Sequence, residues 1–221
     1  MAHGSTKQRG TNKTTDAITN TATLKNVLSW LEGRESRDVA TKRIIACYCK
    51  LAALTGLRYS DLSTLKFSQC SINGVWRSSL TVVQTKILNL HLSRDVVASK
   101  ARKKAEVHVH LSSQAHDVLE ELSVLQSGDL LFESQARNAK EGQVISDRAI
   151  RNVLKDCAND LKLDFKLSVH SFRKTLGTIL INEHKHSITS VRDRLGHANA
   201  SMTSDYIKKY VTPELATEMS I

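Results

Sequence analysis

A histidine and an arginine lie three residues apart in the segment VHSFRKTLGTILI, at His170 and Arg173. The apolar residues around them follow a helical period, so the two side chains share one face of a helix and converge on one anionic group. This arrangement suits the clamping of a phosphate. A solvated helix face is the alternative, because short motifs of this kind also arise by chance.

A candidate nucleophile follows in the segment LGHANASMTSDYIKKY, where Tyr206 lies nine residues after His197. Gly196 and His197 are predicted to close one helix, and a turn before the last helix lets Tyr206 approach His197. In the alternative interpretation, His197 caps a helix C-terminus and Tyr206 is a half-buried aromatic residue.

The segment LTGLRYSDLSTLKF places a third basic group, Arg58, directly after a predicted helix end at Gly56. Asp61 comes one turn later, where its carboxylate can hold the guanidinium or cap the next helix. An arginine oriented by a carboxylate in this way is preorganised. An ordinary salt bridge between two helices explains the same pattern.

These segments, TGLRYSDL, then HSFRKT, then LGH with a tyrosine nine residues later, resemble in this order the tyrosine recombinase (phage integrase) family. The resemblance runs from about residue 24 to the end of the chain. It implies catalytic roles for five residues: Arg58 as the first arginine, His170 and Arg173 as the His-x-x-Arg pair, His197 as the second histidine and Tyr206 as the nucleophile.

The family also uses a lysine on a β-hairpin, and Lys86 in VVQTK resembles that lysine best. The sequence departs from the family pattern here, because a basic segment lengthens the hairpin and SKARKKAEVHV also resembles its turn. Lys100, Lys103 and Lys104 are therefore alternatives for the general acid. The predicted DNA-binding residues are Lys100, Arg102, Lys103, Lys104 and Lys174.

The resemblance implies DNA strand cleavage and rejoining without a metal ion, a cofactor or ATP. Two arginines neutralise charge on the non-bridging phosphate oxygens, and His170 assists a tyrosine hydroxyl whose ordinary pKa is about 10. A lysine protonates the departing 5′ oxygen, and His197 hydrogen-bonds a phosphate oxygen. The product is a 3′-phosphotyrosyl enzyme, whose ester bond another 5′ hydroxyl can attack.

The implied partners are double-stranded DNA and further copies of the chain, as a tetramer on two DNA sites. Two other functions are alternatives, of which only the first uses a similar set of catalytic residues. A type IB topoisomerase relaxes supercoiled DNA instead of exchanging strands. A non-catalytic DNA-binding regulator keeps the fold as a basic surface, but the complete set of Arg, His and Tyr argues against it.

The composition agrees with a polyanionic partner, because the chain of 221 residues has a formal net charge of +10 and a pI near 9.6. Charge alone also fits heparin or a membrane surface. The four cysteines lack the paired spacing of a zinc site, and the longest apolar stretch, over residues 44–57, is too short to span a bilayer. The sequence predicts a cytoplasmic protein without a metal site or a membrane partner.

The expected fold class is α+β, mostly helical, with a small antiparallel β-sheet and the tyrosine recombinase catalytic-domain fold. Near alternation of β-branched residues in SSLTVVQTKIL and AEVHVHLS predicts the two strands, with a long mobile loop over residues 89–105. Helical periodicity predicts helices over residues 23–31, 38–55, 113–125, 147–161, 171–182, 188–195 and 201–211.

Residues 1–20 are expected to form a flexible arm, and residues 21–221 the catalytic domain. The arm is polar and rich in Thr and Lys, and its opening MAHGS is typical of an expression tag. Members of the family normally carry a further DNA-clamping domain before the catalytic one. The chain is therefore expected to be either a trimmed catalytic fragment or a naturally short recombinase.

Overall fold

The computed structural model describes residues 15–33 and 39–210, apart from the side chains of Val39 and Tyr206. The helices are α1 (Thr21–Gly33), α2 (Val39–Thr55), α3 (Tyr59–Leu62), α4 (Phe67–Cys70), α5 (Thr85–Leu92), α6 (Ala98–Ala105), α7 (Ser113–Leu125), α8 (Asp147–Asp160), α9 (Val169–Asn182), α10 (Ile188–Leu195) and α11 (Ala200–Ile207). The strands are β1 (Ser71–Ile72), β2 (Val75–Trp76), β3 (Ser79–Val83) and β4 (Glu106–His110). The expected α+β class, mostly helical, is confirmed.

Helix α2 forms the centre of the core and packs against α1, α7 and α9. Its residues from Ile44 to Leu51 are almost all buried, including Cys47, Tyr48 and Cys49. A helix that is apolar on nearly every side must be covered on nearly every side, which makes α2 the natural middle of the domain. Cys47 and Cys49 are therefore core residues.

Glycine ends α2 as predicted, because Gly56 adopts the left-handed conformation with φ of 68°. The site is also crowded, since a Cβ atom at Gly56 would lie 2.8 Å from the side chain of Leu176 on α9. The turn that carries Arg58 therefore lies against α9.

Strands β3 and β4 pair antiparallel, with Ser79 opposite His110 and Val83 opposite Glu106. Their inward positions, such as Leu80 and Val109, are buried, whereas His110 points outward. The two predicted strands are confirmed in this part.

The prediction for the connection between the strands is wrong, because residues 85–105 contain two helices instead of a strand end and a loop. The carboxylate of Asp61 accepts the backbone N–H of Thr85 at 3.0 Å, which caps the start of α5 from outside the hairpin. In α6 the small residues Ala101 and Ala105 are buried four positions apart, while the cations between them face outward. Packing of α6 onto α5 and β3 stabilises both helices.

Residues 15–18 of the expected flexible arm pack against the domain. Ile18 is fully buried, and its backbone N–H donates to Thr175 Oγ1 in α9 at 2.8 Å. The backbone N–H of Asp16 donates to the carbonyl of Lys166 at 3.2 Å. A short apolar pair, Ala17 and Ile18, thus fixes a polar segment to the core. Residues 1–14, with the opening MAHGS, lie outside the described part of the structure.

Candidate active site

The guanidinium of Arg173 joins two turns of the chain that are far apart in sequence. Arg173 lies in α9 and is almost fully buried. Its Nη1 donates to the carbonyl of Gly56, and its Nη2 donates to the carbonyl of Leu195 at 2.5 Å. Gly56 ends α2 two residues before Arg58, and Leu195 ends α10 two residues before His197. One buried arginine therefore sets the positions of two other candidate catalytic residues.

A second polar side chain, Gln84, reinforces the same junction. Gln84 is buried at the end of β3, where its Oε1 accepts from Arg58 Nη1 at 2.6 Å. Its Nε2 donates to the carbonyl of Leu195 at 3.3 Å, so this carbonyl accepts from both Gln84 and Arg173. Gln84 thus connects Arg58 directly with the turn that carries His197.

Sequence reasoning missed Gln84, although the strand pattern marks its position. Leu80 and Val82 are inward residues of β3, and position 84 continues their alternation. A polar residue at an inward position needs buried hydrogen-bond partners. Such a residue beside a candidate site is therefore a positioning candidate that can be found from the sequence.

Asp61 caps the start of a helix, which is one of the two predicted alternatives. The helix that it caps is α5 and not α3, the next helix in the chain. It lies in the first turn of α3 and is buried. Its Oδ1 accepts from Thr85 N–H at 3.0 Å and from Ser60 Oγ at 3.1 Å. Asp61 therefore fixes the segment that follows Gln84.

His197 follows Gly196, which ends α10 in the left-handed conformation as predicted. The imidazole Nδ1 lies 2.9 Å from Thr203 Oγ1 in α11, a contact that orients the ring. Partial burial lowers the pKa of His197 to about 4, and the charges of Arg173 and Arg58 add to this effect. His197 is therefore neutral at neutral pH.

His170 lies in the first turn of α9, whose N-cap residue Ser168 accepts the backbone N–H of His170 at 3.3 Å. Although the side chain reaches solvent, partial removal of water lowers the pKa of His170. The charges of Arg173, Lys174 and Arg58 lower this pKa further, and Asp147 opposes them. A neutral imidazole at this place can accept a proton.

The structure thus brings together four of the six predicted catalytic residues. Arg58 and Arg173 lie close enough to both His170 and His197 for their charges to lower both pKa values. Tyr206 belongs to α11, three residues after Thr203, but its side chain lies outside the described part of the structure. Its role as nucleophile stays a prediction.

The position of the candidate lysine differs from the expectation. Lys86 is exposed in the first turn of α5 and not at a strand end. The backbone N–H of Gln84 donates to the carbonyl of Ala105 at 2.8 Å. Lys86 lies two residues after one partner of this hydrogen bond, and Lys104 lies one residue before the other. Lys86 and the alternatives Lys100, Lys103 and Lys104 all remain candidates for the general acid.

The predicted DNA-binding residues fall into two groups. Exposed cations of α6 form the first group: Lys100, Arg102, Lys103 and Lys104. Lys174 differs from them, because its Nζ donates to the carbonyl of Thr15 at 2.6 Å and its pKa is lowered by partial burial. It is engaged within the domain.

Helix α8 carries a further basic face that sequence reasoning missed. Arg148, Arg151 and Lys155 are exposed on it, and Lys166 lines the same cleft. The cleft lies beside the site, because Asp147 at the start of α8 acts on the pKa of His170. Charges three and four residues apart on a predicted helix would have indicated this face.

The described residues contain no group of three or more side chains suited to hold a metal ion. Nor does any helix over residues 15–33 and 39–210 combine the length and apolar character that crossing a bilayer requires.

The domain is mostly helical, and two arginines and two histidines lie close together in it. The sequence resemblance predicts this class of protein. The model of the phage integrase family matches residues 23–212. The chain therefore belongs to the phage integrase family.

Known relatives agree with this assignment. The tyrosine recombinase XerC of Anoxybacillus flavithermus is 27% identical over 169 residues, which are 71% of this chain and 47% of that protein. Among solved structures, the XerH site-specific recombinase in a post-cleavage complex with difH substrate has a TM-score of 0.65 at 17% identity, covering 91% of this chain and 52% of XerH. The Tn1549 transposon integrase in complex with a circular intermediate DNA has a TM-score of 0.63 at 12% identity, covering 90% and 63%. The chain spans about half the length of XerC and XerH.

The low pKa of His197 predicts a dependence of stability on pH. Because the pKa is about 4 in the folded chain and about 6.5 in the unfolded chain, the unfolded chain binds the proton first as the pH falls. The stability that neutral His197 contributes is therefore complete above about pH 6.5 and is lost as the pH falls towards 4. We expect His197→Asn to lose less stability between pH 7 and pH 5 than the unchanged chain does, measured by urea unfolding. His110→Asn on the exposed face of β4 is the control, and an equal loss in both variants would contradict the prediction.

Proposed function

We propose that this protein is a site-specific recombinase, which cleaves and rejoins DNA strands through a 3′-phosphotyrosyl intermediate at Tyr206. The observation that carries the proposal is the junction at Arg173, where the turns bearing Arg58 and His197 meet the helix bearing His170. Membership of the phage integrase family supports it.

The charge distribution of the site suits a phosphodiester. Arg58 and Arg173 create a positive potential that is strong enough to lower the pKa of each neighbouring histidine. The same potential stabilises the negative charge that accumulates on the non-bridging oxygens during attack at phosphorus. Because hydrogen bonds fix both guanidinium groups before DNA arrives, little reorganisation is needed.

The proton transfers follow from the protonation states. The hydroxyl oxygen of Tyr206 forms a bond with phosphorus while the bond to the 5′ oxygen breaks. Neutral His170 accepts the tyrosine proton, and Lys86 gives a proton to the 5′ oxygen. His197, oriented by Thr203, hydrogen-bonds a phosphate oxygen. The reverse attack by a 5′ hydroxyl restores the DNA and the free tyrosine.

Double-stranded DNA is the proposed partner. The net charge of +10 supports attraction to a polyanion, and α6 and α8 both carry exposed cations. The solved relatives include a complex of XerH with difH substrate and one of lambda integrase with a core site. Exchange between two duplexes cuts four strands, so four copies of the chain, each with one tyrosine, are proposed to assemble on two sites.

Covalent capture of DNA tests the proposed nucleophile. The probe is a library of duplexes with random sequence around one 5′-bridging phosphorothiolate, which releases a thiol when tyrosine attacks. Because the thiol re-attacks poorly, the covalent adduct accumulates and can be isolated in detergent. We expect the unchanged chain to capture duplexes that share one sequence motif, and Tyr206→Phe to capture none.

Each contrary result has a distinct meaning. An adduct with Tyr206→Phe would show that another residue is the nucleophile. DNA binding without any adduct would favour the non-catalytic regulator. Relaxation of supercoiled DNA bearing the selected motif, without recombinant product, would favour the type IB topoisomerase.

The same chemistry identifies the general acid. A 5′ oxygen must be protonated as it departs, whereas a thiol, with a pKa of about 8.5, leaves without help. We expect Lys86→Ala to slow cleavage of the selected all-oxygen duplex by about 100-fold or more. The same variant should cleave the phosphorothiolate duplex at a nearly normal rate. Arg58→Ala should slow both reactions. If Lys104→Ala shows the rescue and Lys86→Ala does not, the assignment to Lys86 is wrong.

Gln84 is proposed to position Arg58, and a second buried glutamine provides a matched control. Gln126 also donates to backbone carbonyls, those of Leu131 and Glu133, but lies in another part of the fold. We expect Gln84→Ala and Gln126→Ala each to lower the free energy of unfolding by about 1–3 kcal/mol. Gln84→Ala alone should slow adduct formation, by about 100-fold, because misplacing a catalytic group is costly. Equal adduct rates for the two variants would contradict this role.

A further inference from the structure

The segment Thr15–Ile18 is fastened to the end of α11, the helix that carries Tyr206. Asp16 Oδ1 accepts from Lys209 Nζ at 2.7 Å and from Tyr210 Oη at 2.9 Å. Both donors lie in the turn that directly follows α11. Residues separated by more than 190 positions are thus joined by two hydrogen bonds to one carboxylate oxygen.

Tyr210 is held on several sides at once. Its carbonyl accepts from Asn182 Nδ2 at 2.8 Å, which ties it to the last residue of α9. The ammonium group of Lys174 lies 5.8 Å from the centre of its ring. Lys174 also donates to the carbonyl of Thr15, so the same lysine contacts both partners of the junction.

The N-terminal segment is itself a firm support. Ile18 is fully buried, and its backbone N–H is bonded to Thr175 Oγ1 in α9. The backbone N–H of Lys166 donates to Asp16 Oδ2 at 3.4 Å, and Asp16 N–H donates to the carbonyl of Lys166. Asp16 is therefore anchored to the domain by contacts that do not involve α11.

Helix α11 is consequently restrained at both ends. At its start, Asn199 caps the helix and Thr203 contacts His197. At its end, Tyr210 contacts Asp16. Tyr206 lies between the two restraints, three residues after Thr203 and four before Tyr210. A helix fixed at both ends presents the residue between them at a defined place relative to His197.

We propose that Asp16 is a positioning residue for the nucleophile, acting through Tyr210 and the end of α11. The inference rests on the proposed function, since it requires that Tyr206 attack DNA. It assigns a role in the chemical step to a segment that the sequence indicates as an arm.

The energetics separate this role from simple stabilisation of the fold. Hydrogen bonds from Lys209 lower the pKa of Asp16, with Tyr210 adding to the effect, so Asp16 is charged at neutral pH. Lys209 is exposed to solvent, so its ion pair with the largely buried Asp16 carboxylate is screened by water and contributes only modestly to global stability. Loss of the Asp16 carboxylate should therefore change the placement of α11 more than it changes unfolding.

The test is single-turnover adduct formation with the selected phosphorothiolate duplex at saturating protein. We expect Asp16→Ala to slow adduct formation by about tenfold or more, with unchanged DNA affinity and a loss of stability no larger than that of the control variant Asp129→Ala. Asp16→Asn keeps an accepting oxygen and should recover part of the rate. Adding Tyr210→Phe to Asp16→Ala should cost little more, because both changes remove the same hydrogen bond.

Asp129→Ala is the matched control, since that carboxylate accepts from the Ser68 N–H and Oγ, both at 2.9 Å, away from α11. It should form adduct at the normal rate. A normal rate for Asp16→Ala would overturn the inference and leave the proposed function intact. A slow rate that higher protein concentration restores would overturn it too, because the defect would then lie in binding. Absence of adduct from the unchanged chain would overturn the proposed function itself.

Discussion

The fold and the site both depend on one buried guanidinium. Arg173 donates to the carbonyl of Gly56, which directly follows α2, and to that of Leu195, the last residue of α10. A buried charge is stable only where its hydrogen-bonding capacity is satisfied, and these helix ends supply acceptors with partial negative charge. The same bonds close the core and bring the turns of Arg58 and His197 together. Structural stability and site geometry are therefore not separable at this position.

The features that could be predicted from the sequence are those with local causes. The bounds of α7 and α10 follow from helical periodicity and match the structure. Gly56 and Gly196 end their helices because both need a positive φ that other residues rarely adopt. Three motifs of a few residues each were enough to identify the family, because their order along the chain is specific even though each is common alone. Four of the residues that they indicate do meet in space.

The features that sequence reasoning missed have partners far along the chain. The run VVQTKIL has strand-like composition, but the N–H of Thr85 is capped by Asp61, so α5 begins there. Ala17 and Ile18 form too short an apolar pair to indicate burial. Both are nevertheless buried, and the Ile18 N–H donates to Thr175 in α9. The alternation of β3 marks Gln84 as an inward polar residue, but its partners Arg58 and Leu195 are known only from the fold. Local pattern cannot supply these contacts, because each closes a loop between distant segments.

The excursion over residues 85–105, which contains α5 and α6, leaves the sheet and rejoins it at one point. Gln84 and Ala105 are joined by a backbone hydrogen bond of 2.8 Å, so the two ends of the excursion are already closed by the hairpin. The length and content of what lies between them are therefore uncoupled from the register of β3 and β4. The surface that α5 and α6 build can therefore change while Gln84 stays in place. Because Lys86 and Lys104 lie near the two ends of this excursion, its middle is the part that is free to vary.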